Sequence, residues 1–100
     1  MSQKSYGLGY ERKEKHYLES RGFEAFRCRG SFGGYDIIAI HPEQGVLLTS
    51  VKSTRRKKGS YKPEIKRLIK ARAYPDTLRR LVVYYRGDRH VVWEERVEAV

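Results

Sequence analysis

The sequence predicts an α/β sandwich, in the order α-β-β-β-α-β-β around a mixed central sheet. Three observations predict it. The first twenty residues repeat apolar side chains at helical spacing and stop at a glycine. Two strongly apolar runs follow, joined by a Pro-Gly turn. A second helical segment, opened by Pro63, then leads into two more apolar runs joined by a tight turn. Strands on both sides of a helix require sheet and helix to share one core.

The first helix runs from about Gln3 to Arg21. Tyr6, Tyr10, Tyr17 and Leu18 fall at helical spacing with Lys, Arg and Glu between them, and Gly22 is placed for the left-handed residue that ends a helix. Phe23 to Cys28 reads as a short strand, and Gly30-Ser-Phe-Gly-Gly34 as a loop that lets backbone approach a ligand. Asp36-Ile-Ile-Ala-Ile-His41 and Val46 to Ser53 form a hairpin across the turn at Pro42 to Gly45. Their apolar density suits a sheet covered on both faces. Thr54 to Tyr61 is a basic loop. Pro63 starts the second helix at a position where its missing N–H costs nothing, Ile65, Leu68 and Ile69 give it one apolar stripe, and Pro75 ends it. Leu81 to Tyr85 and His90 to Glu94 are strands joined through Arg86-Gly-Asp-Arg89.

One hundred residues make one domain, 1–100, with a modest core. No apolar run approaches the roughly 20 residues that span a bilayer. The N-terminus lacks the apolar stretch of a signal peptide. A cytoplasmic protein is expected, with no membrane partner. The single Cys28 excludes an internal disulfide, and the absence of Asn with many charged residues leans toward a thermophilic source.

The net charge is +10 and is concentrated. Between Lys52 and Arg72 lie ten Lys and Arg against one acid, Glu64. Such a surface is the footprint of a polyanion, most often nucleic acid. Arg55, Arg56, Lys57, Lys58 and Lys62 head the expected contact set, with Arg27 in the first strand and Arg29 just after it.

Glu11 precedes Leu18 by seven residues, so the two project within about 20° of each other. A carboxylate on or beside an inward face needs a cation or a hydrogen-bond donor, unless it merely borders the stripe and pairs with Lys15. Asp36 heads the second strand. Ser50 and Lys52 point to one side of the third, with Val51 buried opposite. A helix Glu, a strand-start Asp and a strand-end x-Val-Lys have the layout of a metal-dependent nuclease. Phosphodiester hydrolysis develops negative charge at phosphorus and needs an activated water, and hard divalent cations held by oxygen ligands serve both needs. Carboxylates of Glu11 and Asp36 with a main-chain carbonyl near Val51 form a partial cage. Lys52 is placed to orient the water or to stabilise charge.

Gly9-Tyr-Glu-Arg12, Arg21-Gly-Phe23, Phe26-Arg-Cys-Arg-Gly-Ser31, Asp36-Ile-Ile-Ala and Val51-Lys-Ser53 together resemble the archaeal-type Holliday junction resolvases, within the PD-(D/E)xK nuclease superfamily. The resemblance covers the first half closely and the second half in element order and basic character. It implies a restriction-endonuclease-like fold and a homodimer that nicks opposite strands of a four-way DNA junction. It also implies dependence on Mg²⁺ or Mn²⁺ and no small-molecule cofactor. Glu11, Asp36 and Lys52 take the catalytic positions, Arg12 and Arg27 those of important arginines, and Ser31 that of a serine near the scissile phosphate.

Ser50 departs from the pattern, which has Glu-Val-Lys there, with the Glu as metal ligand. A neutral hydroxyl in its place implies weaker metal binding and impaired or absent cleavage. Ser50 is then an engineered inactivation, or a natural divergence, or a vacancy filled by another acid such as Glu43 or Glu64. Two other functions are open. One is a non-catalytic binder of branched DNA on the same fold. The other is a small basic RNA-binding protein in which Glu11, Asp36 and Lys52 coincide by chance.

Overall fold

A computed structural model describes residues 3–32, 34–56 and 60–98, with the side chains of residues 3–8 and 29–32 outside the description. Among the described residues the chain forms α1 (Gln3–Ser20), β1 (Glu24–Phe32), β2 (Tyr35–His41), β3 (Gly45–Thr54), α2 (Lys62–Lys70), β4 (Thr77–Tyr85) and β5 (Asp88–Arg96). No helix among them is long and apolar enough to cross a membrane.

The strands lie in one sheet in the order β1-β2-β3-β4-β5. β3 and β4 are parallel, linked by α2, and every other neighbour is antiparallel. The one parallel pair is the place where the chain has a helix to make the crossover; the others are closed by turns. Each helix covers one face. Leu18 of α1 packs with Ala25, Ile37, Ala39, Leu47, Val51, Val82 and Tyr84, and Leu68 of α2 packs with Tyr35, Leu48, Leu81 and Val83. Consecutive apolar residues in β2, β3 and β4 therefore all find cover, which is why those runs do not alternate with polar residues.

Helix α1 ends as its sequence predicts. Gly22 has φ +91°, its N–H donates to the Glu19 carbonyl at 3.1 Å, and the Phe23 N–H donates to the Leu18 carbonyl at 3.1 Å. That pairing closes the last turn with a left-handed residue. A Cβ on Gly22 would also meet the His41 ring at 3.2 Å. Helix α2 carries Pro in its first turn and ends at Lys70, five residues before the expected stop at Pro75. Its Leu68 carbonyl accepts hydrogen bonds from the Arg79 guanidinium at 3.1 Å and the Tyr35 hydroxyl at 3.4 Å. These two buried donors fix the C-terminal end of α2 to the sheet, and the arginine charge suits a helix C-terminus.

Two strand boundaries, the end of β1 and the start of β4, also differ from expectation, and β5 is longer at both ends than its expected His90–Glu94. β1 continues to Phe32, through most of the segment expected to be a loop, because Phe32 pairs with Tyr35 beyond an irregularity. β4 begins at Thr77 instead of Leu81. Its first four residues, though polar by composition, pair with Val46 to Thr49 of the buried parallel strand. Arg79 and Arg80 there are neutralised across the sheet by Glu95 and Glu94 at 2.6 and 2.7 Å. The β4–β5 hairpin turns through Arg86 (φ +50°) and Gly87 (φ +88°), a two-residue connection whose backbone twist matches the strands.

Candidate active site

Asp36 lies where the sheet comes apart. On one side, β1 pairs Arg27 with Ile37 and then Phe32 with Tyr35, so the four residues 28–31 face Asp36 alone. On the other side, the β2–β3 ladder stops at Ile37 and Thr49. β3 itself runs on to Thr54, paired with β4 along its whole length. The next free donor on β3 toward β2 is the Val51 N–H, and the Asp36 carboxylate accepts it at 2.7 Å. The side chain thus takes over from the ladder at the fork. A strand residue sends its N–H and C=O from the same edge, so the Val51 carbonyl also leaves β3 on this open side.

Burial raises the Asp36 pKa from its ordinary value, against the pull of the Val51 N–H, the Lys52 charge and the Ser50 hydroxyl. Glu11 reaches the fork from α1. Its pKa is also raised, by burial first and then by the Asp36 charge, while Arg27 works the other way. Arg27 Nε sits 3.8 Å from Glu11 Oε1, an ion pair too long for a hydrogen bond, and Nε is buried without a hydrogen-bond partner among the described residues. Lys15, the alternative partner for Glu11, pairs instead with Glu19 at 2.8 Å.

Ser50 and Lys52 share one face of β3 as the alternation requires, and that face is the one under α2. Val51, between them, packs on the α1 side. Asp36, Ser50 and Lys52 line a cleft of about 200 Å³ together with Gly34, Glu64, Arg67 and Leu68. Ser50 is 3 % exposed and Lys52 is exposed. Asp36 therefore joins the two parts of the constellation: it lines the cleft, and its charge is felt by Glu11, the ion-pair partner of Arg27.

The remaining sequence-predicted residues divide. Arg12 is on the exposed side of α1. Arg55 and Arg56 are exposed beyond the end of β3, and Lys62 is exposed at the start of α2. Lys57 and Lys58, and the side chains of Arg29 and Ser31, lie outside the described residues. Among the described residues, no three of His, Cys, Asp and Glu gather tightly enough to hold a metal ion. Glu43 is exposed, with its N–H donated to His41 Nδ1 at 3.0 Å in the β2–β3 turn.

Sequence reasoning passed over Glu14, which is 0 % exposed. Its carboxylate accepts the Tyr84 hydroxyl at 2.8 Å and two Arg89 N–H groups at 2.7 and 2.9 Å. The signal was present: Tyr10, Glu14 and Leu18 are four residues apart and so share a face. This triad clamps α1 to the β4–β5 hairpin one turn after Glu11. Burial and the Glu14 carboxylate together push the Tyr84 hydroxyl pKa far above its usual value.

Fold and site together have the form of a nuclease, with acids and a lysine at a split sheet beside a basic helix. The family model for archaeal Holliday junction resolvases matches residues 2–92, and the chain belongs to that family. The family's proteins resolve four-way DNA junctions in recombination and repair and are nucleases that generally use a divalent metal. None of the curated proteins matches the chain. The donor set suits such a metal in kind: two carboxylates whose pKa values are both raised, chiefly by burial, and a strand carbonyl on the open edge, are hard oxygen ligands. On β3 the cleft wall carries Ser at position 50 and Lys at position 52, and no acid.

Proposed function

We propose that this chain is a Mg²⁺- or Mn²⁺-dependent endonuclease that acts as a homodimer on four-way DNA junctions, with cleavage weakened by Ser50. The observation that carries the reading is the cleft that Asp36 and Lys52 both line, with Arg67 of the basic helix α2 on its wall. Glu11, Asp36 and the Val51 carbonyl would hold the cation, which supplies Lewis-acid polarisation of a phosphate oxygen. Lys52 is exposed on the cleft wall, where its ammonium can donate to a phosphate oxygen or to the attacking water. Arg27 offers a buried N–H to the negative charge that develops at phosphorus. Arg12 and Ser31 complete the expected set on the α1 and β1 side. The exposed cations Arg55, Arg56, Lys62, Lys66 and Lys70 provide phosphate contacts that do not depend on base sequence.

We infer that the dimer forms through the β4–β5 hairpin and α2: Val91 is exposed on the hairpin and Ile69 on α2, and Tyr61, Tyr85, Val91 and Val92 line an open cleft of about 670 Å³.

A second reading, a branched-DNA binder without catalysis, is favoured by the neutral residue at Ser50. One experiment separates the readings. Junction cleavage in Mg²⁺ is measured for this chain and for Ser50→Glu, alongside binding to junction, duplex and RNA in EDTA. Slow paired nicking by this chain and faster nicking by Ser50→Glu are expected. Inertness of both with tight junction binding gives the binder. Cleavage by this chain at the rate of the Glu variant refutes the role given to Ser50, and equal affinity for RNA refutes the junction reading.

A further inference from the structure

The acid absent from β3 has a counterpart across the cleft. Between Lys52 and Arg72 the chain carries ten basic residues and one carboxylate. That carboxylate, Glu64, lines the same cleft as Asp36, Ser50 and Lys52. It stands in the first turn of α2, with Pro63 beside it and no side-chain cap from Tyr61. Glu64, Arg67 and Leu68 lie at i, i+3 and i+4, so they share one helix face. Leu68 is 4 % exposed and its carbonyl is bound by Arg79 and Tyr35, so this face is held toward the sheet. The remaining charge of the run is basic, and Lys62, Lys66 and Lys70 are exposed.

An acid near a helix N-terminus is favourable against the helix dipole wherever it points. The dipole explains an acid in that turn; it does not explain its place on the cleft wall opposite Ser50. The two positions are reciprocal. Ser50 is small and buried, so the β3 wall leaves room in the cleft. A Glu at position 50 would extend into that same volume and set a third carboxylate against Asp36 and Glu64. With Ser there, one carboxylate enters the cleft from the helix and none from β3 at this position.

We propose that Glu64 supplies from α2 the carboxylate that β3 lacks at Ser50, as the third acidic oxygen ligand of this site's divalent cation. The proposal rests on the metal-dependent reading above. The described acids do not by themselves gather into a metal-binding cluster, so the long side chain of Glu64 would have to reach further into the cleft to ligate a cation. The cost of ordering it makes the helix-borne ligand weaker than one fixed on a central strand. Residual cleavage with reduced metal affinity is the consequence.

The test is Mn²⁺ binding to the DNA-free chain, by calorimetry and by the Mn²⁺ electron-spin signal, for native, Glu64→Gln, Ser50→Glu and the double variant. Melting in EDTA and junction binding in EDTA are measured in parallel. Glu64→Gln is expected to weaken Mn²⁺ binding about tenfold or more without weakening junction binding in EDTA, since the loss of a negative charge in the cleft does not disfavour a polyanion. The double variant is expected to recover Mn²⁺ affinity to the native level or above, because Glu at position 50 makes Glu64 dispensable. That recovery also separates loss of a ligand from damage to α2, since a misfolded helix is not repaired from β3. Native-like Mn²⁺ affinity in Glu64→Gln overturns the proposal and leaves the nuclease reading standing, as does failure of the double variant to recover. If the native chain binds no Mn²⁺ and does not prefer junction to duplex, both fall.

Discussion

Removing the Glu14 carboxylate is the most informative test of how α1 is held over the site. In Glu14→Ala, the Tyr84 hydroxyl and the Arg89 guanidinium lose their shared acceptor. Breaking a buried ion pair from one side costs about 3–5 kcal/mol. The lower end applies here, because the Arg89 side chain keeps 20 % of its surface and water can rehydrate part of it. About 3 kcal/mol is a large share of the roughly 5–15 kcal/mol that hold a domain of this size. At about 4–8 °C per kcal/mol the melting temperature falls by about 12–24 °C. Urea unfolding followed by circular dichroism measures the loss as a lower midpoint at unchanged slope. Glu14→Gln keeps one acceptor oxygen and is expected to lose less. Glu11 lies one turn earlier on the same helix, so cleavage by Glu14→Ala falls further than junction binding does. A midpoint within about 0.5 kcal/mol of native, the range of an ordinary surface change, would refute the claim that this triad anchors α1. The triad also has an alkaline signature. Tyr84 is raised in the folded chain, so above about pH 10 the unfolded tyrosine loses a proton that the folded one keeps. Stability therefore falls as pH rises through that window, and Tyr84→Phe removes this part of the slope.

The other predictions are shorter. Asp36→Asn is expected to lower cleavage about 10²-fold or more, as loss of a charge-stabilising group does, while the melting temperature in EDTA stays level or rises. The Asp36 pKa is raised in the fold, so its contribution to stability is full at acid pH and is lost as pH climbs through the raised value. A fall in melting temperature for Asn at neutral pH would contradict this. Neutralising Arg55, Arg56, Lys57 and Lys58 should weaken binding to all DNA and reduce the salt slope by roughly 0.9 for each phosphate that is no longer neutralised. An unchanged slope would place the DNA path elsewhere. Val91→Glu should shift the chain toward monomer in sedimentation without disturbing its circular dichroism. A persistent dimer would move the interface off the hairpin.

Much of the fold follows from short-range pattern. The α1 stop at Gly22, the Pro-opened α2 and the two hairpins each rest on local backbone chemistry that acts the same in any context. The boundaries that moved depend on partners distant in sequence. Thr77 to Arg80 look unlike a strand until Glu94 and Glu95 neutralise the arginines and β3 supplies the ladder. Residues 30–32 look like a loop because Gly and Ser favour one, while the pairing of Phe32 with Tyr35 decides otherwise. The site shows the same division. Period-two alternation places Ser50 and Lys52 on one face, and the strand start places Asp36 beside them. Glu14 and Glu64 acquire their positions only through tertiary packing, the first under Arg89 and the second across a cleft that forms when Leu68 docks. A helical wheel shows that Glu14 faces inward, and it does not show that Arg89, seventy-five residues later, meets it.

The fork in the sheet also gives this protein an internal spectroscopic probe. The Val51 amide proton ends on the Asp36 carboxylate, so its electron density follows the charge of that carboxylate directly. Protonation of Asp36 or capture of a cation by it should move the Val51 amide resonance in a proton–nitrogen correlation spectrum. Neighbouring amides paired between β3 and β4 should stay nearly still. The state of the candidate site can then be followed without a label and without a nucleic-acid substrate.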